Sequence, residues 1–136
     1  MPDYTVCAAV RAKRPLVHCI SNIVTANDCA NLLLAAGASP MMAEAPEEMA
    51  EITRLADATV LNTGTPSAGK YAAARICLEE SNRLGKPVVL DPVGVGAGSW
   101  RLARVAELLE SGTPDIVRVN LAEAEALLGL GSAGQG

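Results

Sequence analysis

The chain has 136 residues, half of them hydrophobic and 19% charged, a balance that suits one folded domain, or part of a larger one, with a real apolar core. Fifteen acidic against eleven basic residues leave a formal charge of −4, and Tyr4, Tyr71 and Trp100 are the only aromatic side chains. A phosphate backbone would find no basic surface here and bases no stacking platform, so nucleic acid is not an expected partner.

The N-terminal stretch reaches Arg11, Lys13 and Arg14 without a long apolar run, so it does not read as a signal peptide. Beyond it, short apolar runs at 16–20, 38–42, 58–62, 88–91 and 115–118 read as strands. Helical segments are expected at 24–36, 47–55, 67–84, 100–110 and 121–128. Pro46 and Pro66 sit where first helical residues belong, Glu47 and Glu48 suit a helix N-terminus, and Gly37, Gly85, Gly112 and Gly129 fall where helices stop. Uniformly apolar strands joined by helices predict an α/β architecture: three layers, with a parallel sheet between helices on both faces. No run approaches the roughly 18 residues of a membrane helix. A soluble, cytoplasmic protein without a membrane partner is therefore expected. Cys7, Cys19, Cys29 and Cys77 form no Cys-x-x-Cys pair, and reduced, mostly buried thiols fit them better than a zinc site.

Unusual residues gather just past the strand ends, along the edge where open α/β sheets bind ligands. Asn22 follows the first strand, Met42 ends the second, and Thr63-Gly64-Thr65 follows the third. The fourth ends on Asp91, ahead of Gly94, Gly96 and Gly98. A carboxylate followed by a glycine-rich turn into a helix start suits metal-bound phosphate; a strand-capping Asp in a permissive turn is the other reading. Arg118 ends the fifth strand, where a planar cation suits phosphate oxygens. Asn120 and Glu123, three apart, read as a helix-capping pair, although the same spacing holds a carboxylate where a hydrated Mg²⁺ would sit. His18 lies inside an apolar strand and reads as a hydrogen-bonded core residue ahead of a catalytic base. Met42 would suit an apolar ligand or the core.

Five blocks in order carry a family resemblance. They are Pro15–Asn22 (PLVHCISN), Gly37–Ala43 (GASPMMA) with APEE at 45–48, Asn62–Thr65 (NTGT), Leu90–Ala97 (LDPVGVGA) and Pro114–Arg118 (PDIVR). Together they resemble the hydroxyethylthiazole kinases, ribokinase-like enzymes of thiamine salvage. The resemblance implies ATP-dependent phosphorylation of 4-methyl-5-(2-hydroxyethyl)thiazole, with Mg²⁺ as cofactor and a homotrimeric full-length protein. It implies Met42, Asn22, Gly64 and Thr65 for the thiazole alcohol, Asp91 and Glu123 for the metal, and Arg118 and Asn120 for the nucleotide. Two departures stand out. Val119 replaces the glycine usual before the asparagine, and members of the family are nearly twice as long. Their Gly-x-Gly-Cys motif, which carries the catalytic cysteine, has no counterpart here. No catalytic residue is therefore assigned, and residues 1–136 read as the N-terminal portion of a single kinase domain, inactive alone. Two alternatives differ in kind: another ribokinase-like vitamin kinase, or a flavodoxin-like binding module without catalysis.

Overall fold

The computed structural model describes residues 2–129. The order of elements is α1 (Thr5–Lys13), β1 (Leu16–Ile20), α2 (Ala26–Ala36), β2 (Ser39–Met42), α3 (Met49–Leu55), β3 (Ala58–Asn62), α4 (Ala68–Leu84), β4 (Val88–Asp91), α5 (Ser99–Ser111), β5 (Ile116–Val117) and α6 (Leu121–Leu128). Short 3₁₀ turns at Pro46–Glu48 and Val95–Ala97 lead into α3 and α5.

All five strands pair in parallel, in the order β2-β1-β3-β4-β5. The order reverses between β1 and β3, which makes their carboxyl ends the topological switch point of a doubly wound sheet. Right-handed crossovers then send α3, α4 and α5 to one face and α2 to the other. The contacts agree: α3, α4 and α5 touch in series, and α1 lies against α2.

The two faces are unequally covered. Met49, Ile52, Ala73, Ala74, Cys77, Leu78 and Leu108 close over Ile20, Leu61, Val88 and Leu90 in one continuous core. Each such fully buried Leu or Val contributes roughly 1.5–3 kcal/mol relative to exposure. Neither α1 nor α2 has a buried residue, and Leu32 and Leu34 of α2 face outward. Accordingly, burial alternates along β3 and β4, with Thr59, Leu61, Val88 and Leu90 on the densely packed side.

Several local expectations shift. The sequence reading places no helix at α1, which has no side-chain N-cap and no acidic residue in its first turn. The strand expected at 115–118 shortens to Ile116–Val117, exposed at the sheet edge. Pro66 stands outside α4, because Ser67 is the N-cap and its Oγ accepts the Lys70 N–H at 3.0 Å. Gly37, Gly85 and Gly129 do end helices in left-handed conformations, but Gly112 is extended. What excludes a side chain at Gly112 is space: a Cβ there would lie 2.6 Å from Asn82 Oδ1 and 2.8 Å from Leu78 Cγ.

The thiols divide evenly rather than mostly inward: Cys19 and Cys77 are buried, Cys29 is half-buried and Cys7 is exposed. His18 is fully buried, with Nε2 donating to the Ala43 carbonyl at 2.7 Å. In the neutral ring that leaves Nδ1 as the acceptor facing Cys77 Sγ at 3.8 Å. Burial holds the imidazole below its ordinary titration range, the carbonyl bond and Glu48 opposing. His18 is therefore a core residue.

Candidate functional site

Register brings the chemistry to one edge. Cys19 pairs with Met42, and Asn62 pairs with Asp91, so the residues ending β1 to β4 stand side by side at the carboxyl side of the sheet. Two cavities open there.

The first, about 470 Å³, lies over the switch point, and its size is that of a small-molecule site. Cys19 and Ser21 line it from the end of β1, Met42 and Glu44 from the end of β2, Thr65 from the loop after β3 and Lys70 from the first turn of α4. Met42 and Thr65 thus reach this cavity. Asn22 and Gly64 do not line it; they build its wall. Asn22 Oδ1 accepts from the Thr25 N–H and hydroxyl, both at 2.9 Å, and its amide reaches Asn62 Oδ1 at 3.4 Å. The Gly64 N–H donates to that same Asn62 oxygen at 2.8 Å.

Sequence reasoning passes over Lys70 and Glu44. Lys70 is a buried cation in the first turn of α4, 3.7 Å from the exposed Glu44 carboxylate. A cation at a helix N-terminus runs against the helix dipole, and that anomaly is the local signal that marks it.

The second cavity, about 490 Å³, lies between the glycine-rich turn (Gly94, Gly96, Gly98) and the start of α6 (Asn120, Glu123). The three glycines serve different ends. Gly94 takes a left-handed φ of 65°, and Gly96 is closed by α6, since a Cβ would meet Ala126 Cβ at 3.1 Å. At Gly98 an added Cβ would meet nothing within 4 Å. Asn120 and Glu123 form a full capping box: Asn120 Oδ1 accepts the Glu123 N–H at 2.8 Å, and Glu123 Oε1 accepts the Asn120 N–H at 3.0 Å. The other Glu123 oxygen accepts the Gly94 N–H at 3.0 Å, which ties the glycine turn to α6.

Asp91 and Arg118 do not line that cavity; they pair beside it, Nη1 to Oδ2 at 3.1 Å. Asp91 is largely enclosed while Arg118 is mostly exposed. Burial raises the Asp91 carboxyl above its ordinary range, Arg118 pulls it back, and the Glu123 carboxylate adds to the rise. Asp91 and Glu123 therefore sense each other across the mouth of the sheet. Among the described residues no group of three or more His, Cys, Asp or Glu side chains converges as a metal cage. Mg²⁺ seldom needs one, being held by one or two carboxylates with water and substrate phosphates, so this pair fits that mode.

A doubly wound parallel sheet with two cavities past its carboxyl edge is the α/β architecture in which ligands bind along that edge. The chain belongs to the hydroxyethylthiazole kinase family, whose model matches residues 7–136. A hydroxyethylthiazole kinase of Methanoculleus marisnigri is 50% identical over 129 residues, covering 95% of this chain and 46% of the relative. The solved structure of the hydroxyethylthiazole kinase protein from Pyrococcus horikoshii superposes with a TM-score of 0.88 at 46% identity, over 96% of this chain and 51% of that one. A receiver domain of a Pseudomonas aeruginosa sensor histidine kinase also superposes, at TM-score 0.56 and 13% identity, a likeness of fold alone. The chain spans about half the length of the curated relatives it matches.

Proposed function

We propose that residues 1–136 form the N-terminal portion of a single kinase domain that transfers the γ-phosphoryl group of ATP to the hydroxyl of 4-methyl-5-(2-hydroxyethyl)thiazole. The observation that carries this reading is the switch-point cavity lined by Met42 and Thr65, in a chain of this family. Met42 presents a polarizable thioether to the apolar heterocycle. Asn22 and Gly64 act one layer back, fixing the loops that bound it. On the phosphate side, Asp91 and Glu123 are the residues that would hold Mg²⁺. Mg²⁺ would neutralise charge on the transferring phosphoryl group, a reaction that needs positioning and electrostatics more than covalent help. Arg118, mostly exposed, offers a planar cation to the nucleotide phosphates, and the Asn120 cap sets the start of α6 beside them. ATP is then co-substrate and Mg²⁺ the cofactor, in the cytoplasm, with a homotrimer as the full-length assembly. No helix among the described residues is long and apolar enough to cross a membrane.

The alternative of a flavodoxin-like binding module has the strand order in its favour. Thermal melting with the thiazole alcohol, and separately with flavin mononucleotide, decides between them. A rise in Tm with the alcohol alone is expected. A rise with the flavin and none with the alcohol would overturn the kinase reading.

A further inference from the structure

Lys70 and Thr65 form a closed network that neither the family match nor the candidate ligand chemistry requires. The Lys70 ammonium donates to the Ser21 carbonyl at 2.8 Å, the Gly64 carbonyl at 3.0 Å and Thr65 Oγ1 at 3.2 Å. An ammonium has three N–H groups, so all are used. Thr65 Oγ1 also accepts the Ile23 N–H at 3.0 Å and donates to the Gly64 carbonyl at 2.8 Å. One donor and two acceptor sites are thereby filled. Thr65 meanwhile holds a φ of 44°, a left-handed conformation that a β-branched residue adopts only under constraint. Strain and constraint coincide at one side chain.

We infer that Lys70 is a positioning residue of the switch-point cavity: it locks Thr65 in its strained conformation and binds the loops after β1 and β3 into one wall. Resting on the reading that this cavity takes the substrate, the inference assigns Lys70 no contact with the reacting atoms. With every N–H committed, it has no proton to offer a ligand without dismantling the wall. Glu44, 3.7 Å away, balances its charge but accepts no hydrogen bond among the described residues. The charged group left facing an occupant is therefore Glu44.

Amide hydrogen exchange on the unliganded chain tests this. Ile23 is exposed, so the bond to Thr65 Oγ1 is what protects its N–H. In Lys70→Met the Ile23 amide is expected to exchange faster by about tenfold or more, while Leu61 and Leu90 in the strands keep their protection. Unchanged Ile23 exchange, or a parallel loss at Leu61 and Leu90, overturns the inference. Should Lys70→Met not fold, Lys70→Arg keeps the charge but changes its geometry; faster Ile23 exchange is again expected, and the same two results again overturn the inference. Calorimetric titration of the variants with the thiazole alcohol separates this role from the reading beneath it. Should the wild-type chain leave the alcohol unbound while Ile23 exchange still depends on Lys70, the substrate assignment falls and the positioning role stands.

Discussion

Asp91 has its charge shared between a buried strand end and an exposed guanidinium, and that division says what replacing it would do. Asp91→Asn keeps the shape and removes the charge expected to hold the metal. In a chimera joining this chain to the second half of the Pyrococcus horikoshii kinase, kcat is expected to fall by about 10²-fold or more, with thiazole affinity little changed. Steady-state kinetics at saturating Mg²⁺ checks it; an unaltered kcat would make Asp91 a turn residue only. Met42 offers the complementary experiment on the other cavity. Its side chain is partly exposed at the end of β2, so Met42→Asp should leave the sheet intact and set a charge against the heterocycle. Thiazole affinity is expected to weaken by about 2–3 kcal/mol while nucleotide affinity holds, as calorimetry with each ligand would read. Equal losses for both would point to misfolding instead.

At the scale of elements, what is local in the chain is legible in its sequence. The apolar runs of β1 to β4 and the glycines closing α2, α4 and α6 are signals spanning a few residues, and each stands where the sequence places it. The Asn120–Glu123 box is legible for the same reason, and it is a cap whether or not Glu123 also faces a metal. What escapes depends on distance along the chain. Lys70 takes its meaning from Ser21, 49 residues away, and the wall roles of Asn22 and Gly64 come from a shared partner, Asn62. The glycine turn is the instructive middle case: three similar residues at alternating positions, of which one is needed for its φ, one for the helix across from it, and one is open. Gly96→Val tests that division, since the added side chain must push against Ala126. A loss of about 1–3 kcal/mol in chemical denaturation is expected, and Gly98→Ala should lose little. Similar losses for the two would refute the assignment of Gly96 to helix packing.

Taken whole, the molecule is an unevenly clad sheet. One face carries the core, while the other shows the outward Leu32 and Leu34 of α2, and the β5 edge leaves Ile116 and Val117 exposed. An open apolar edge favours pairing between chains, so concentration-dependent self-association of the 136-residue chain is expected in sedimentation. The same chain alone is expected to give no ADP release with thiazole alcohol, ATP and Mg²⁺. Turnover above the alcohol-free background, abolished by Asp91→Asn, would show that these residues suffice. The graded burial of the four thiols has a further use: it is an internal clock of opening. Burial pushes Cys19 and Cys77 up to about 11, so at neutral pH both are almost wholly protonated as well as enclosed. Cys7 stands in solvent and Cys29 half out of it. An alkylating reagent followed by mass spectrometry should therefore count Cys7 first and Cys29 next. Cys77 on α4 packs against the sheet beside His18, so it does not react until α4 lifts, whereas Cys19 points to the opposite face of β1 and borders the first cavity. The Cys77 adduct should then mark that event, with Cys19 reacting ahead of it, without a dye or a mutation.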